Sequence, residues 1–303
     1  MSNEVLVTCA TGKVGLQTCK ALKAEGFEVY GTTRTALSGK KLTAIGVTPV
    51  VCDYATDLKK GLDECGAKKL FFITDFFLAA GKNADREFEQ GKQQVDAAKA
   101  AGVEHTVFMS VDTCEEFPPE CTHILAKPRV EAYLKESGLQ YSIVGASCFF
   151  ENLDDAANWN PLTKGSLKFL MMEKLKWCST YDLGRAASVM YKNPTEWNGK
   201  KMGVVSFHGS LDEVADALEK ITGFPVKRGL AMPLCARKLF LADLDSMCNF
   251  FAGGGLKSTP EDLAKHIPDA LGPEAWFRQY NKYANGEAIV GNTTPPAGRC
   301  TIS

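Results

Sequence analysis

The sequence predicts an α/β fold: a doubly wound parallel sheet with a smaller, mostly helical C-terminal lobe. Three observations predict it. Residues 5–34 read as strand, glycine turn, helix and strand. Short apolar runs then alternate with helical stretches as far as residue 144, the pattern of a parallel sheet with helices on both faces. From about residue 151 the alternation stops, and Asn, Trp, Met and Lys become frequent without long periodicity.

Val5-Leu6-Val7 is the apolar run of a buried strand. The turn from Thr8 to Gly15 opens a helix whose Val14, Ala21, Leu22 and Phe27 suit packing on that strand, and Gly26 closes it. Phe27 to Gly31 starts a second strand, ending at Arg34. Residues Ser38 to Gly46 form a short helix, Thr48 to Cys52 a third strand, and a further helix starts near Leu58. Lys69 to Thr74 is nearly all apolar and so buried on both faces. A helix over 84–101, a strand over Val103 to Ser110, a helix over His123 to Ser137 and a strand over Tyr141 to Val144 complete the alternation. Later come a helix from Tyr181 to Tyr191, a strand from Met202 to Phe207 and a helix from Leu211 to Thr222; Leu239 to Phe251 and Ala264 to Tyr283 read as further helices. The expected division is 1–150 as a nucleotide-binding domain completed by about 181–222, 151–180 and 223–285 as the smaller substrate or partner lobe, and a disordered tail at 286–303.

Composition narrows the function classes. A net charge of −1 with no basic patch argues against a nucleic-acid partner. The greasiest run, Leu70 to Ala80, is broken by Asp75 and is too short for a transmembrane segment. Eleven cysteines with no CxxC pair fit neither a disulfide framework nor a zinc site, so no metal is expected. With a strand starting by residue 5, no signal peptide is expected and a cytoplasmic location fits best.

The chemistry is concentrated at strand ends. Gly12 lets backbone approach a pyrophosphate, Gly15 lets the helix lie close to the strand, and amides of the helical first turn face the anion. Cys9 stands where the usual first glycine of this fingerprint would be. At the end of the second strand the charged residue is Arg34 rather than an acid, which suits a 2′-phosphate and hence NADP(H). Asp53 and Tyr54 follow the third strand, where they either meet an adenine or, for Asp53, cap the next helix. Thr74 ends the fourth strand. Short-chain dehydrogenases place Ser after the fifth strand and Tyr-x-x-x-Lys on the next helix; here stand Ser110 and His123-Ile-Leu-Ala-Lys127. At i and i+4, His123 and Lys127 would share a helix face and are the candidate catalytic pair. The plainer alternatives are a surface lysine and a helix-terminal histidine.

The turn TCATGKVG, the Arg34 strand end, KPRVEAYLKESGLQYSIVGASCFFENL (127–153) and STYDLGRAASVMY (179–191) resemble the NmrA-like branch of atypical short-chain dehydrogenases, over roughly residues 4–285. Within it they look most like the NmrA-like family domain-containing proteins described as NADPH-sensing redox regulators, which also carry His-x-x-x-Lys. The resemblance implies a Rossmann domain with NADP(H) at the strand ends and phosphate contacts by Thr11, Gly12, Lys13 and Val14. It implies Arg34 on the 2′-phosphate, Asp53 and Tyr54 at the adenine, Thr74 and Lys127 at the ribose, and Phe149, Phe150, Glu151 and Asn152 near the nicotinamide. Cys9 departs from the pattern, as does Glu89, standing where the resemblance implies a lysine that some relatives extend to the cofactor.

Two functions compete. One is an NADP(H)-binding sensor acting on a regulatory protein partner; the other is an NADPH-dependent reductase of a quinone, enone or small apolar carbonyl, whose pocket Phe76, Phe77, Phe149 and Phe150 would line unless they are ordinary core. The last four residues, Cys300-Thr-Ile-Ser, fit the pattern for farnesylation of Cys300, which on its own gives only weak membrane association.

Overall fold

A computed structural model describes residues 3–154, 166–223 and 225–280. The strands and helices of the first half alternate as the apolar pattern predicts. They are β1 (Glu4–Val7), α1 (Lys13–Ala24), β2 (Glu28–Thr33), α2 (Ala36–Thr43), β3 (Thr48–Val51), α3 (Leu58–Cys65), β4 (Lys69–Phe72), α4 (Ala84–Ala100), β5 (His105–Val111), α5 (Ala126–Glu136) and β6 (Tyr141–Ala146). Next come β7 (Cys148–Phe149), β8 (Ser166–Phe169), β9 (Leu175–Cys178), α6 (Thr180–Lys192), α7 (Pro194–Trp197) and β10 (Lys200–Val204). The chain continues through β11 (Phe207–Gly209), α8 (Leu211–Thr222), β12 (Lys227–Leu230), α9 (Leu234–Phe240), α10 (Ala242–Ala252), α11 (Pro260–Ala264) and α12 (Pro273–Tyr280).

Seven parallel strands form the large sheet in the order β10-β6-β5-β4-β1-β2-β3. Strand order reverses between β1 and β4, which opens a crevice at their carboxyl ends. Thr8 ties that crevice shut from below, because its hydroxyl accepts from Ile73 N at 2.9 Å. Apolar residues of α1 and α6 cover one face of the sheet, and those of α3, α4 and α5 cover the other. The second core lies in the smaller lobe, around Phe150, Trp177, Trp276 and Phe277. Of the stretch 181–222, α6 and β10 join the large sheet, whereas α8 packs into the second core. The lobe also holds two small sheets, β11-β9-β7 and β12-β8. Among the described residues no helix is long and apolar enough to cross a membrane.

Proline accounts for the largest differences in element boundaries. The helix expected from His123 starts at Ala126. Pro128 has no N–H to give Ile124, so it is tolerated only in a first turn, and His123 is left in the turn before the helix. Of the single helix expected over 264–283 the described residues hold α12 alone, because α11 ends at Ala264 and Pro268 and Gly272 lie between the two. Between α9 and α10 the chain breaks at Leu241, which has φ −135°.

Candidate cofactor cleft

The glycine turn is built around close backbone contact. A Cβ on Gly15 would lie 2.2 Å from the carbonyl oxygen of Cys9, so only glycine lets α1 start this near the turn. Cys9 itself takes φ +50°, the left-handed conformation that a glycine adopts freely and that costs other residues about 1–2 kcal/mol. The missing glycine of the fingerprint is thus a position where cysteine accepts strained backbone. Gly12 caps α1 without a side-chain hydrogen bond, and no acid stands in the first turn. The first intrahelical bond runs from Leu16 N to Gly12 O, so the preceding amides project from an exposed helix end. The Gly12 amide is spent on Cys9 O at 2.9 Å and is not free to meet a ligand. Thr11 and Lys13 flank this end, half-buried and exposed respectively.

The Cys9 thiol turns inward, toward the Ile73 carbonyl at 3.9 Å and the Tyr54 hydroxyl. Burial pushes it up to about 12, which favours the protonated thiol; the Tyr54 hydroxyl, Lys127 and Arg34 oppose that rise and Asp75 adds to it. Tyr54, Asp75, Lys127 and Arg34 thus all lie near enough to the Cys9 thiol to act on its charge. Burial and the neighbouring Cys9 raise the Tyr54 hydroxyl as well. Arg34 is exposed and enters no ion pair among the described residues. The hydroxyls of its chain neighbours pair with Ser38: Thr33 at 2.6 Å, and Thr35 at 2.8 Å at the start of α2. Asp53 is exposed, and its Oδ1 accepts from Ala55 N at 2.9 Å. Asp57 is the N-cap residue of α3, so capping does not fall to Asp53.

Across the crevice, Thr74 and Lys127 meet a third residue that sequence reasoning missed. Lys127 Nζ donates to Thr74 Oγ1 at 2.7 Å, Thr74 Oγ1 donates to Glu87 Oε1 at 2.8 Å, and Lys127 Nζ lies 2.9 Å from Glu87 Oε1. The triangle is closed and buried: Lys127 is 6% exposed, Thr74 4% and Glu87 0%. Glu87 Oε2 has no partner. The signal was available, because Glu87, Gly91, Gln94, Val95 and Ala98 recur at helical spacing on the buried face of α4. Glu89, the acid singled out from sequence, is exposed, because two residues along a helix turn through about 200°. Gln90 and Gln94 on the same face hold Asp75 N at 3.3 Å and Ile73 O at 3.1 Å, fixing the strand end.

His123 stands at the rim. Its Nδ1 lies 2.6 Å from Asp243 Oδ1 on α10, a partner 120 residues away that no local pattern announces. The ring centroids of Phe77 and Phe76 lie 6.0 and 6.3 Å from it. Phe76 is buried, whereas Phe77 is 55% exposed. The block 149–152 divides. Phe149 is half-buried against the first core, while Phe150 stacks on Trp177 at 5.5 Å in the second core and so serves packing. Glu151 accepts from Thr180 N at 3.0 Å and Trp276 Nε1 at 3.0 Å, joining α6 to α12; burial pushes its carboxyl up against those donors. Asn152 bonds the Cys148 thiol. Ser110 is buried and donates to Glu131, which also takes Lys201 Nζ at 2.8 Å, so its hydroxyl faces α5. Cys300 lies outside the described residues.

The model of the NmrA-like family matches residues 1–251. An NmrA-like family domain-containing oxidoreductase of Aspergillus flavus is 26% identical over 237 residues, covering 70% of this chain and 71% of that protein. Among solved structures, the negative transcriptional regulator NmrA in complex with NADP superposes with a TM-score of 0.70 at 20% identity, over 94% of this chain and 98% of that one. The NADPH-dependent quinone oxidoreductase QOR2 of Escherichia coli with NADPH gives 0.67 at 21% identity, over 89% and 97%.

Proposed function

Because the chain belongs to the NmrA-like family, we propose that it binds NADP(H) in the crevice and acts as a sensor or regulator of cofactor state, read by a protein partner. One observation carries this reading: the ammonium of Lys127 is committed to Glu87 and Thr74 in a closed, buried triangle. In a short-chain dehydrogenase that lysine lowers the pKa of a tyrosine four residues earlier, which then passes a proton to substrate. Here the earlier residue is His123, outside the helix and engaged by Asp243.

The residues present fit the cofactor. A helix end with no acid in its first turn suits the pyrophosphate, and an exposed Arg34 with no ion pair among the described residues suits a 2′-phosphate. In this reading Asp53 and Tyr54 would meet the adenine, and Thr74 and Lys127 the nicotinamide ribose. When bound, the reduced nicotinamide supplies a hydride. A regulator needs only that the two redox forms be bound unequally, in step with a conformer or a partner.

A specific observation favours a second reading, an NADPH-dependent reductase of a quinone, enone or small carbonyl. His123, oriented by Asp243, stands beside Phe77, which offers an apolar wall. An imidazole held through Nδ1 presents its other nitrogen for proton transfer. Equilibrium NADPH binding, with NADPH consumption measured against a panel of quinones and enones, separates the two. The sensor reading expects tight binding without turnover. Turnover that His123→Ala abolishes would replace it with the reductase, and a protein that binds no NADPH would end both.

A further inference from the structure

The buried pair of Glu87 and Lys127 stands at the carboxyl end of β4, where the nicotinamide half of the cofactor belongs in the reading above. Replacing a buried ion pair by apolar residues is often neutral or stabilising, so the pair is weak as a stabilising device. Its geometry is also incomplete, because Glu87 Oε2 is buried without a partner. An unsatisfied oxygen on a residue with no exposure calls for a reason other than stability.

Charge supplies that reason. The nicotinamide ring is a cation in NADP+ and neutral in NADPH, so the two forms differ by one unit of charge at the ring. Any uncompensated charge beside the ring changes their relative affinity, and does so most strongly away from water. Lys127 alone would repel the oxidised ring. Glu87 cancels it at 2.9 Å, leaving the pair neutral as a unit. The other ionisable groups on this side are Asp75, half-buried after β4, the thiol of Cys9 and the hydroxyl of Tyr54, both raised by burial, and His123, which is engaged by Asp243. We propose that Glu87 sets the preference of this protein between the two redox forms of its cofactor: by neutralising Lys127 it admits the oxidised ring. The inference rests on the NADP(H) reading of the crevice. It makes Glu87 a specificity residue of the sensor, acting on the ring through charge.

The test is calorimetric titration of NADP+, NADPH and 2′,5′-ADP, a fragment without the nicotinamide, into the full chain. Glu87→Gln leaves Lys127 unopposed and should weaken NADP+ relative to NADPH by about tenfold. The double variant Glu87→Gln/Lys127→Met, neutral again, should return the ratio to that of the parent. Binding of 2′,5′-ADP should stay unchanged throughout. Should Glu87→Gln fail to fold, Lys127→Met carries the same test with the opposite sign, because an unopposed carboxylate favours the cationic ring. An unchanged NADP+ to NADPH ratio in the folded single variants overturns the proposal, as does a parallel loss for 2′,5′-ADP, which marks general damage to the crevice. A parent protein that binds none of the three ligands would instead overturn the NADP(H) reading, and the proposal with it.

Discussion

Lys127→Met keeps most of the lysine's volume and removes its charge, so it isolates what the ammonium does for the fold. In the parent, Glu87 Oε1 accepts from Lys127 at 2.9 Å and from Thr74 at 2.8 Å, and Oε2 has no partner. The substitution leaves a carboxylate with 0% exposure holding one hydrogen bond and no counter-charge. Breaking a buried pair from one side costs about 3–5 kcal/mol, because the remaining charge is stranded. For a chain of this size about 2–4 °C is lost per kcal/mol, so the melting temperature should fall by about 10 °C. Removing both charges with Glu87→Gln/Lys127→Met strands nothing, and should recover most of that loss, to within about 1–2 kcal/mol of the parent. Thermal melts followed by circular dichroism, with urea titration at 25 °C, measure all three proteins. A single variant within about 1 kcal/mol of the parent, or a double variant no better than the single, would refute the stranded-charge reasoning. The same numbers govern any activity assay on Lys127→Ala: lost turnover there counts as chemistry only beside an unchanged melt.

Three further outcomes follow from named contacts. Arg34→Ala should weaken NADPH about 10- to 100-fold, the worth of a charge-assisted hydrogen bond of about 1.5–3 kcal/mol, and leave NADH nearly untouched; equal losses in calorimetry would remove Arg34 from the 2′-phosphate. Iodoacetamide at pH 7.5 should label the exposed Cys235 well before Cys9, whose thiol burial pushes up to about 12, and peptide mass mapping that finds Cys9 first would contradict its inward orientation. Burial, helped by the charge of Lys69, holds the His105 imidazole down at about 4, and its Nε2 is engaged by Ser142 at 2.8 Å. As pH falls from about 6.5 to 4 the unfolded chain takes up a proton that the folded chain refuses, so stability drops by about 3 kcal/mol from this group, with no contribution above pH 6.5. His105→Gln should flatten that acid limb, and identical pH dependence in the two proteins would sink the assignment.

The sequence by itself determined the sheet and the head of the cleft, because both rest on local physics. Alternating apolar runs had to become parallel strands with helices over both faces, and a glycine turn between strand and helix had to present amides at the strand ends. Pro128 lay in plain view as the reason α5 starts past His123; a fixed spacing of four residues read as a helix face obscured it. Tertiary structure alone decided what Lys127 and His123 are bound to. Glu87 and Lys127 lie 40 positions apart, on α4 and α5, and His123 reaches Asp243 across 120 residues of chain. It likewise sent Phe150 and Glu151 into the lobe's packing and α6–α12 joint, although their motif had pointed to the nicotinamide. Contacts of that kind depend on which helix faces meet over the sheet, and periodicity along one segment says which face is buried without saying what it is buried against. The glycine turn is thus legible along one stretch of chain, while the pairing of Glu87 with Lys127 is set only where two distant helices pack together.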